Sequence, residues 1–231
     1  MSRVIAVDGP SGAGKSSVSR EVAKRLGFIH VDSGALYRIA TLKCLSAGVD
    51  TKDQAAIAAF ASSLPDGFAG YRVEDGRVKW LVDGAEPGEA IRTPEINANA
   101  SLVAATPEVR ASITALLRSL SSLGDIIVEG RDITTAVFPD SPARFYLTAS
   151  AEARARRRQK EEIEKGIANQ SAEAVKASLL ARDRIDSTRR YAPLRKADGA
   201  IEIDSSDMTL EQVVDAVMAA LPAEWTAQGN L

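Results

Sequence analysis

The chain is short of the residues that most often carry nucleophilic and acid–base chemistry. It has one histidine, His30, and one cysteine, Cys44, among 231 residues. A single thiol closes no intrachain disulfide, which suits a reducing compartment. Aromatic residues are only 5% of the chain, too few to build a stacking surface for single-stranded nucleic acid. No run approaches the roughly 18 apolar residues of a membrane span. The first residues enter an apolar strand pattern without the charged and apolar regions of a leader, so the expectation is a soluble, cytoplasmic protein. No sign of charge dominates: 29 Lys+Arg against 31 Asp+Glu leave −2, giving no global pull toward nucleic acid or membranes. Repeats, low-complexity segments and flexible linkers are also missing. What remains, with 45% hydrophobic residues, suits one α/β domain with room for an insertion, expected to be a monomer.

The stretch that is present and informative is Gly9-Pro10-Ser11-Gly12-Ala13-Gly14-Lys15-Ser16, followed by Ser17. It comes after the apolar run Val4–Val7 and before a segment of helical character, Ser16–Leu26. Strand, glycine-rich turn and helix are the context of a phosphate-binding loop. Glycines let successive backbone N–H groups turn onto a phosphate chain, and the new helix adds its partly positive N-terminus. Lys15 then supplies a charge for the β- and γ-phosphates and Ser16 a hydroxyl for Mg²⁺. The motif points to a bound nucleoside triphosphate. Lys15 is expected to be partly exposed and of little consequence for stability.

Further along, Phe28–Val31 reads as a strand and Ala35–Ala40 as a helix ending near Gly48. His30 in that strand reads as a packed or half-exposed residue. Asp53 opens a short alanine-rich helix. Two Asp-Gly pairs, Asp75-Gly76 and Asp83-Gly84, punctuate alternating segments between Phe68 and Glu86, a hairpin signature expected to form a small antiparallel sheet apart from the parallel one. Thr93-Pro94-Glu95 and Thr106-Pro107-Glu108 read as helix starts, with threonine at the N-cap and proline at the first turn. Ile126–Val128, Ala143–Leu147 and Ala200–Ile203 read as strands. Helices are expected from Ala151 to near Gly166 and from about Ala172 to Arg190. Asp204–Asp207 is expected to cap a last helix, with Trp225–Leu231 as a frayed tail.

Charge is uneven in one place. Residues 144 to 196 hold ten Arg and four Lys, so 14 of the 29 basic residues lie there. Such an excess suits either an anionic ligand or a solvated helical face, and Arg156 reads as solvated. The segments Gly9–Ser16, Asp32–Arg38, Glu129–Asp132, Thr148–Arg158 and Asp204–Ser206 each follow a strand. Ligands of open α/β sheets gather at those strand ends, which favours a binding role for Arg131. Spacing alone also lets Asp132 be a helix cap and Ser101 a small residue between packed helices.

Asp32-Ser33-Gly34-Ala35-Leu36-Tyr37-Arg38, Gly130-Arg131-Asp132 and Ala192-Pro193-Leu194 together resemble bacterial cytidylate kinase, with a match from about Arg3 to Leu221. The resemblance implies a three-layer P-loop NTPase fold, with a five-stranded parallel sheet of order 2-3-1-4-5, helices on both faces and an inserted β-meander. It implies a core of residues 1–32 and 106–231 with a lid at about 152–168. The monophosphate-binding part would be 33–105, its β insertion at about 66–90. Gly9 to Ser17 then resembles the ATP phosphate loop. Asp32, Ser33 and Arg38 fall on the CMP side, Ser101, Arg110 and Asp132 on the cytosine readers, and Arg182 and Asp186 on the ribose contacts. Lys15, Arg131, Arg189, Arg154, Arg157 and Arg158 resemble the catalytic cations, the last three in the lid. The activity implied is transfer of the γ-phosphoryl group of ATP to CMP or dCMP with Mg²⁺, Ser16 beside the ion and Glu129 behind it. Two positions depart from the usual pattern: Glu129 stands where aspartate is common, and Thr134 where glycine is.

The chemistry fits the shortage of histidine. A phosphate monoester, whose second pKa is about 6, is already nucleophilic at neutral pH and needs no general base. Arginine forks match phosphate oxygens and keep their charge. The alternatives are a kinase of another small acceptor (UMP, AMP or shikimate), or a P-loop switch or RNA-binding NTPase using the basic segment.

Overall fold

Val4–Asp8 forms β1, and the unbroken burial of Ile5 to Asp8 places it in the middle of a sheet covered on both faces. In a computed structural model of the chain, which describes residues 2–64, 67–164 and 171–226, β2 (Ile29–Asp32), β5 (Ile126–Gly130), β6 (Ala143–Thr148) and β7 (Ile201–Asp204) run parallel to it. Their order is β2-β5-β1-β6-β7, so the parallel strands, counted along the chain, lie 2-3-1-4-5 as the resemblance implied.

The hairpin corrects one expectation. β3 (Gly70–Glu74) and β4 (Arg77–Leu81) pair antiparallel, but β4 also lies parallel to β2, so the sheet has seven strands, β3-β4-β2-β5-β1-β6-β7. The outer edge of β2 would otherwise leave backbone groups unpaired, and His30 N–H donates to Gly76 O at 2.9 Å. Both Asp-Gly turns hold the two residues at positive φ, 50° and 66° for Asp75-Gly76 and 51° and 84° for Asp83-Gly84, the geometry whose twist suits a tight hairpin.

Strand alternation divides the core into two faces. Ala6, Val31, Ile126 and Val128 look to one side, packed by α2 (Ser33–Ser46), α3 (Gln54–Ser62), α4 (Pro94–Val103) and α5 (Pro107–Ser119). Ile5, Val7, Ile127 and Phe145 look to the other, covered by α1 (Lys15–Leu26) and α8 (Leu210–Ala219). The basic helices α6 (Ala151–Glu164) and α7 (Ala172–Thr188) pack on each other through Ala155, Val175 and Leu179. The end of the helix expected near Gly166, and the end of the lid at 168, lie outside the described residues.

Three local expectations change. Thr93 caps α4 through Ile96 N–H, whereas buried Thr106 directs its hydroxyl to Gln54 Oε1 at 2.8 Å and leaves α5 without a side-chain cap. The last long helix is capped by Thr209 in a reciprocal box with Gln212, not by Asp204–Asp207. Trp225, expected in a frayed tail, is buried in the short helix α9 (Ala223–Thr226) against Phe28, with ring centroids 6.3 Å apart. Residues 227–231 of that tail lie outside the described residues. Among the described residues, no helix is long and apolar enough to cross a membrane.

Candidate active site

The strand ends of β1, β2 and β5 open into a cleft of about 1000 Å³, at the upper end of the usual range for ligand sites. Its floor is the loop between β1 and α1. A Cβ on Gly9 would stand 1.9 Å from Leu147 O, so this loop lies against β6 only as glycine. The Lys15 side chain is 6% exposed, and its Nζ donates to Gly9 O and Pro10 O, both at 2.8 Å. That corrects the expectation of a partly exposed lysine without structural consequence: its amino group ties the loop to itself. Burial first, then the nearby Arg131 guanidinium, push its pKa down to about 7.

Behind the loop, Ser16 Oγ donates to Glu129 Oε2 at 2.8 Å, and Glu129 Oε1 meets His30 Nε2 at 3.0 Å. Ser17 lines the cleft. Two carboxylates that the sequence did not single out hold the loop's surroundings. Buried Asp8 accepts from Ile133 N–H, Thr134 N–H and Thr134 Oγ at 2.8, 2.7 and 2.6 Å. Burial lifts its pKa to about 6 against these donors. Thr134 thus contributes a bond that glycine lacks. Asp183, on α7, accepts from Ser11 N–H at 2.9 Å and pairs with Arg154.

Of the three arginines assigned to a lid, Arg154 is buried beneath the loop, donating to Ser11 O and Ala149 O, and does not line the cleft. Arg157 lines it and is held by Ser205. Arg158 lines it too, tied to Glu162 at 2.8 Å. Arg156 is exposed, as expected.

The opposite wall starts where β2 turns into α2. Asp32 Oδ1 caps α2 at Ala35 N–H, and Ser33 Oγ donates to Glu129 O at 2.5 Å. A Cβ on Gly130 would stand 2.6 Å from that hydroxyl, so the β5 end and α2 approach this closely only at a glycine. Deeper in, Arg110 pairs with Asp132, donates to Ala104 O at 3.0 Å and lies over the Tyr37 ring, 5.2 Å from its centroid. Asp132 also faces Arg189 at 3.8 Å, a pairing role in place of the helix cap that spacing allowed. Asp186 binds Arg131 at 3.1 Å and lies 3.6 Å from Arg189. Ser101 is buried and lines the same end.

Arg38, Arg131, Arg158 and Arg182 crowd together. Burial foremost, then Arg38 and Arg131, lower Arg182 to about 10. Burial likewise lowers Arg38, against the pull of Asp32 and with the push of Arg92, Arg131 and Arg158. Among the described residues, the buried Nε atoms of Arg38 and Arg182, Nη2 of Arg189 and the Tyr37 hydroxyl have no hydrogen-bond partner. Cations packed against cations at this depth are the mark of a polyanion site. Arg92, which also faces this wall, escaped the sequence reading because it lies in a short helical turn with no motif around it. Asp8 carried one usable signal, an acid ending an apolar strand just before the glycine loop.

A parallel-dominated sheet, a glycine loop bearing Lys15 at the start of α1, and an arginine-lined cleft define a P-loop phosphotransferase. The family description "Cytidylate kinase" matches residues 5–223. A cytidylate kinase from Streptomyces avermitilis is 43% identical over 97% of this chain and 95% of its own. One from Nocardia farcinica is 46% identical over 92% of this chain and 90% of its own. The crystal structure of an uncharacterized protein from Eubacterium ventriosum superposes with a TM-score of 0.51 over 98% of this chain and 99% of that one, at 9% identity, a likeness of fold alone. The chain belongs to the cytidylate kinase family, the ATP-dependent (d)CMP kinases.

Proposed function

We propose that the cleft transfers the γ-phosphoryl group of ATP to CMP or dCMP, with Gly9–Ser17 and Lys15 on the triphosphate and the Asp132 end on the cytosine. The observation that carries the division of labour is the sequence of environments along the cleft. An amide-rich loop and Lys15 lie at one end, a band of under-partnered arginines in the middle, and a buried donor–acceptor pair, Arg110–Asp132, at the other.

Phosphoryl transfer asks for alignment and neutralisation of charge, with little covalent work for the protein. Arg38, Arg131, Arg182 and Arg189 hold the acceptor phosphate and the group in flight, and Asp186 sets Arg131 and Arg189 at their angles. Arg157 and Arg158 face the phosphates from α6. Arg154 supports the loop from below, a positioning role. Ser16 Oγ, backed by the Glu129 carboxylate, is the hard oxygen group that would hold a Mg²⁺ brought with ATP, and the ion would supply neutralisation of phosphate charge. The parts 1–32 with 106–231 and 33–105 act as core and monophosphate-binding lobe. The enzyme works as a cytoplasmic monomer on free nucleotides, without nucleic acid or membrane. In the basic segment that suggested an RNA-binding alternative, Arg154, Arg158, Lys176 and Arg189 are paired with carboxylates of Asp183, Glu161 and Glu162, Glu152, and Asp186.

A coupled ADP-release assay over CMP, dCMP, UMP, AMP and shikimate tests the assignment. CMP and dCMP are expected to exceed the rest in kcat/KM by at least two orders of magnitude, within the reach of polar readout. Equal rates on UMP would remove Arg110 and Asp132 from base recognition.

A further inference from the structure

The one histidine has no role in the reaction as described, yet it is buried beside it. His30 and Glu129 are 8% and 4% exposed in their side chains. Their meeting follows from the sheet: His30 pairs in register with Ile127, and Glu129 lies two residues further along β5. Two residues along a strand return to the same face, and that face is the one covered by α1, which carries Ser16. Glu129 is therefore tied at both oxygens, Oε1 to His30 at 3.0 Å and Oε2 to Ser16 at 2.8 Å.

We propose that His30 is a positioning residue for the cation-binding end of the phosphate loop, acting through Glu129 on the Ser16 hydroxyl. This rests on the reading of Ser16 and Glu129 as the Mg²⁺ side of the cleft. An ionised Glu129 can only accept, so His30 carries its hydrogen on Nε2 and Ser16 directs its hydrogen to Oε2. The Ser16 lone pairs are then left facing the cleft. The glutamate side chain turns about three torsions, so one contact alone leaves its carboxylate free to rotate. A second tether is what holds its far oxygen on Ser16. With His30 gone, Glu129 swings, and Ser16 loses the partner that orients it. The same histidine gives its backbone N–H to Gly76 O at 2.9 Å, so the hairpin that joins the sheet at β2 also fixes the strand that presents it.

The test separates geometry from folding by using two amides. Glutamine places its amide nitrogen where Nε2 stands, and asparagine where Nδ1 stands. ATP binding is measured by calorimetry with CMP absent, with and without Mg²⁺, on wild type, His30→Gln, His30→Asn and His30→Leu. Expected is a ratio of MgATP to metal-free ATP affinity within about twofold of wild type for His30→Gln. For His30→Asn and His30→Leu it should fall by roughly tenfold, the loss typical of removing a group behind a metal ligand. Metal-free ATP affinity should stay level in every variant, which also reports a folded loop. Gln and Asn behaving alike, or no fall in either, overturns the role of His30. If Mg²⁺ fails to strengthen ATP binding in wild type, it is the reading of Ser16 and Glu129 that fails. Should His30→Leu not fold, the Gln–Asn comparison decides alone.

Discussion

Lys15 shows how a single side chain serves two ends. Its Nζ bonds the carbonyls of Gly9 and Pro10, so Lys15→Ala should remove more than charge. Loss of one buried and one part-buried hydrogen bond predicts a fall in stability of about 1–2 kcal/mol, read by denaturant unfolding, beside a loss of kcat of at least a thousandfold. Retention of more than a tenth of kcat would remove Lys15 from the chemistry. Its pKa of about 7 sets a pH prediction as well. The folded value lies below the unfolded one, so above pH 7 the ligand-free protein keeps Lys15 largely neutral. Phosphates favour the ammonium, so binding ATP near pH 8 should draw in the larger part of a proton. Calorimetry in buffers of differing ionisation enthalpy measures it, with Lys15→Ala taking up none. Arg110 offers the third case. A guanidinium can donate to the cytosine O2 and N3 acceptors but meets the uracil N3–H donor to donor, so Arg110→Met should cut kcat/KM for CMP far more than for UMP. It also leaves Asp132 buried with Arg189 at 3.8 Å, which predicts a loss of about 3 kcal/mol in stability. An equal loss on both nucleotides would leave Arg110 a packing residue.

Among the strands and helices, the hairpin has the most to say about the acceptor side. Trp80 on β4 is buried and gives its Nε1–H to Asp32 O at 3.0 Å, at the residue that caps α2 and precedes Ser33. Trp80→Phe keeps an aromatic side chain but loses the donor and the second ring, leaving a gap in the core. It should cost about 2–3 kcal/mol, from the lost bond and the gap together, and raise KM for CMP more than KM for ATP; a change in the ATP value alone would contradict the link. The hairpin itself was legible from its Asp-Gly turns, because turn type is written in two adjacent residues. Its attachment to β2 was not, since one register pair, His30 with Arg77, leaves no periodic trace. The same contrast runs through the site. The glycine loop, Arg131 and Asp132 could be read because each follows an apolar strand directly. Asp183 on Ser11 spans 172 residues, and no local pattern records such a partner; Glu129 behind Ser16, across 113 residues, was implied by the resemblance and by no local pattern. Ser101 was legible by resemblance alone. Thr106 looked like a cap and proved to be a buried hydroxyl with a better partner in Gln54, a tertiary bond displacing a local one.

Across the chain as a whole, the basic helices are fastened at one end. Ala153, Arg154 and Ala155 are buried, Arg154 reaches Ser11 O, and Arg157 is bound to Ser205. On the proposed reading, closure is carried by the part of α6 beyond this anchored stretch, inside the span expected to be a lid. Amide exchange across 159–164 should slow when ATP and CMP bind together, while 153–156 is protected already; identical exchange with and without nucleotides would rule out closure by this helix. The two-faced core has a practical outcome in light. The chain has two tryptophans, and each face owns one: Trp80 on the α2 side and Trp225 on the α1 side. Single-tryptophan forms made by Trp80→Phe and Trp225→Phe thus give each half of the interior its own fluorescent reporter. Because β1 and β5 send alternate residues into both halves, neither can melt while the other stands, and the two emission signals should trace one unfolding curve.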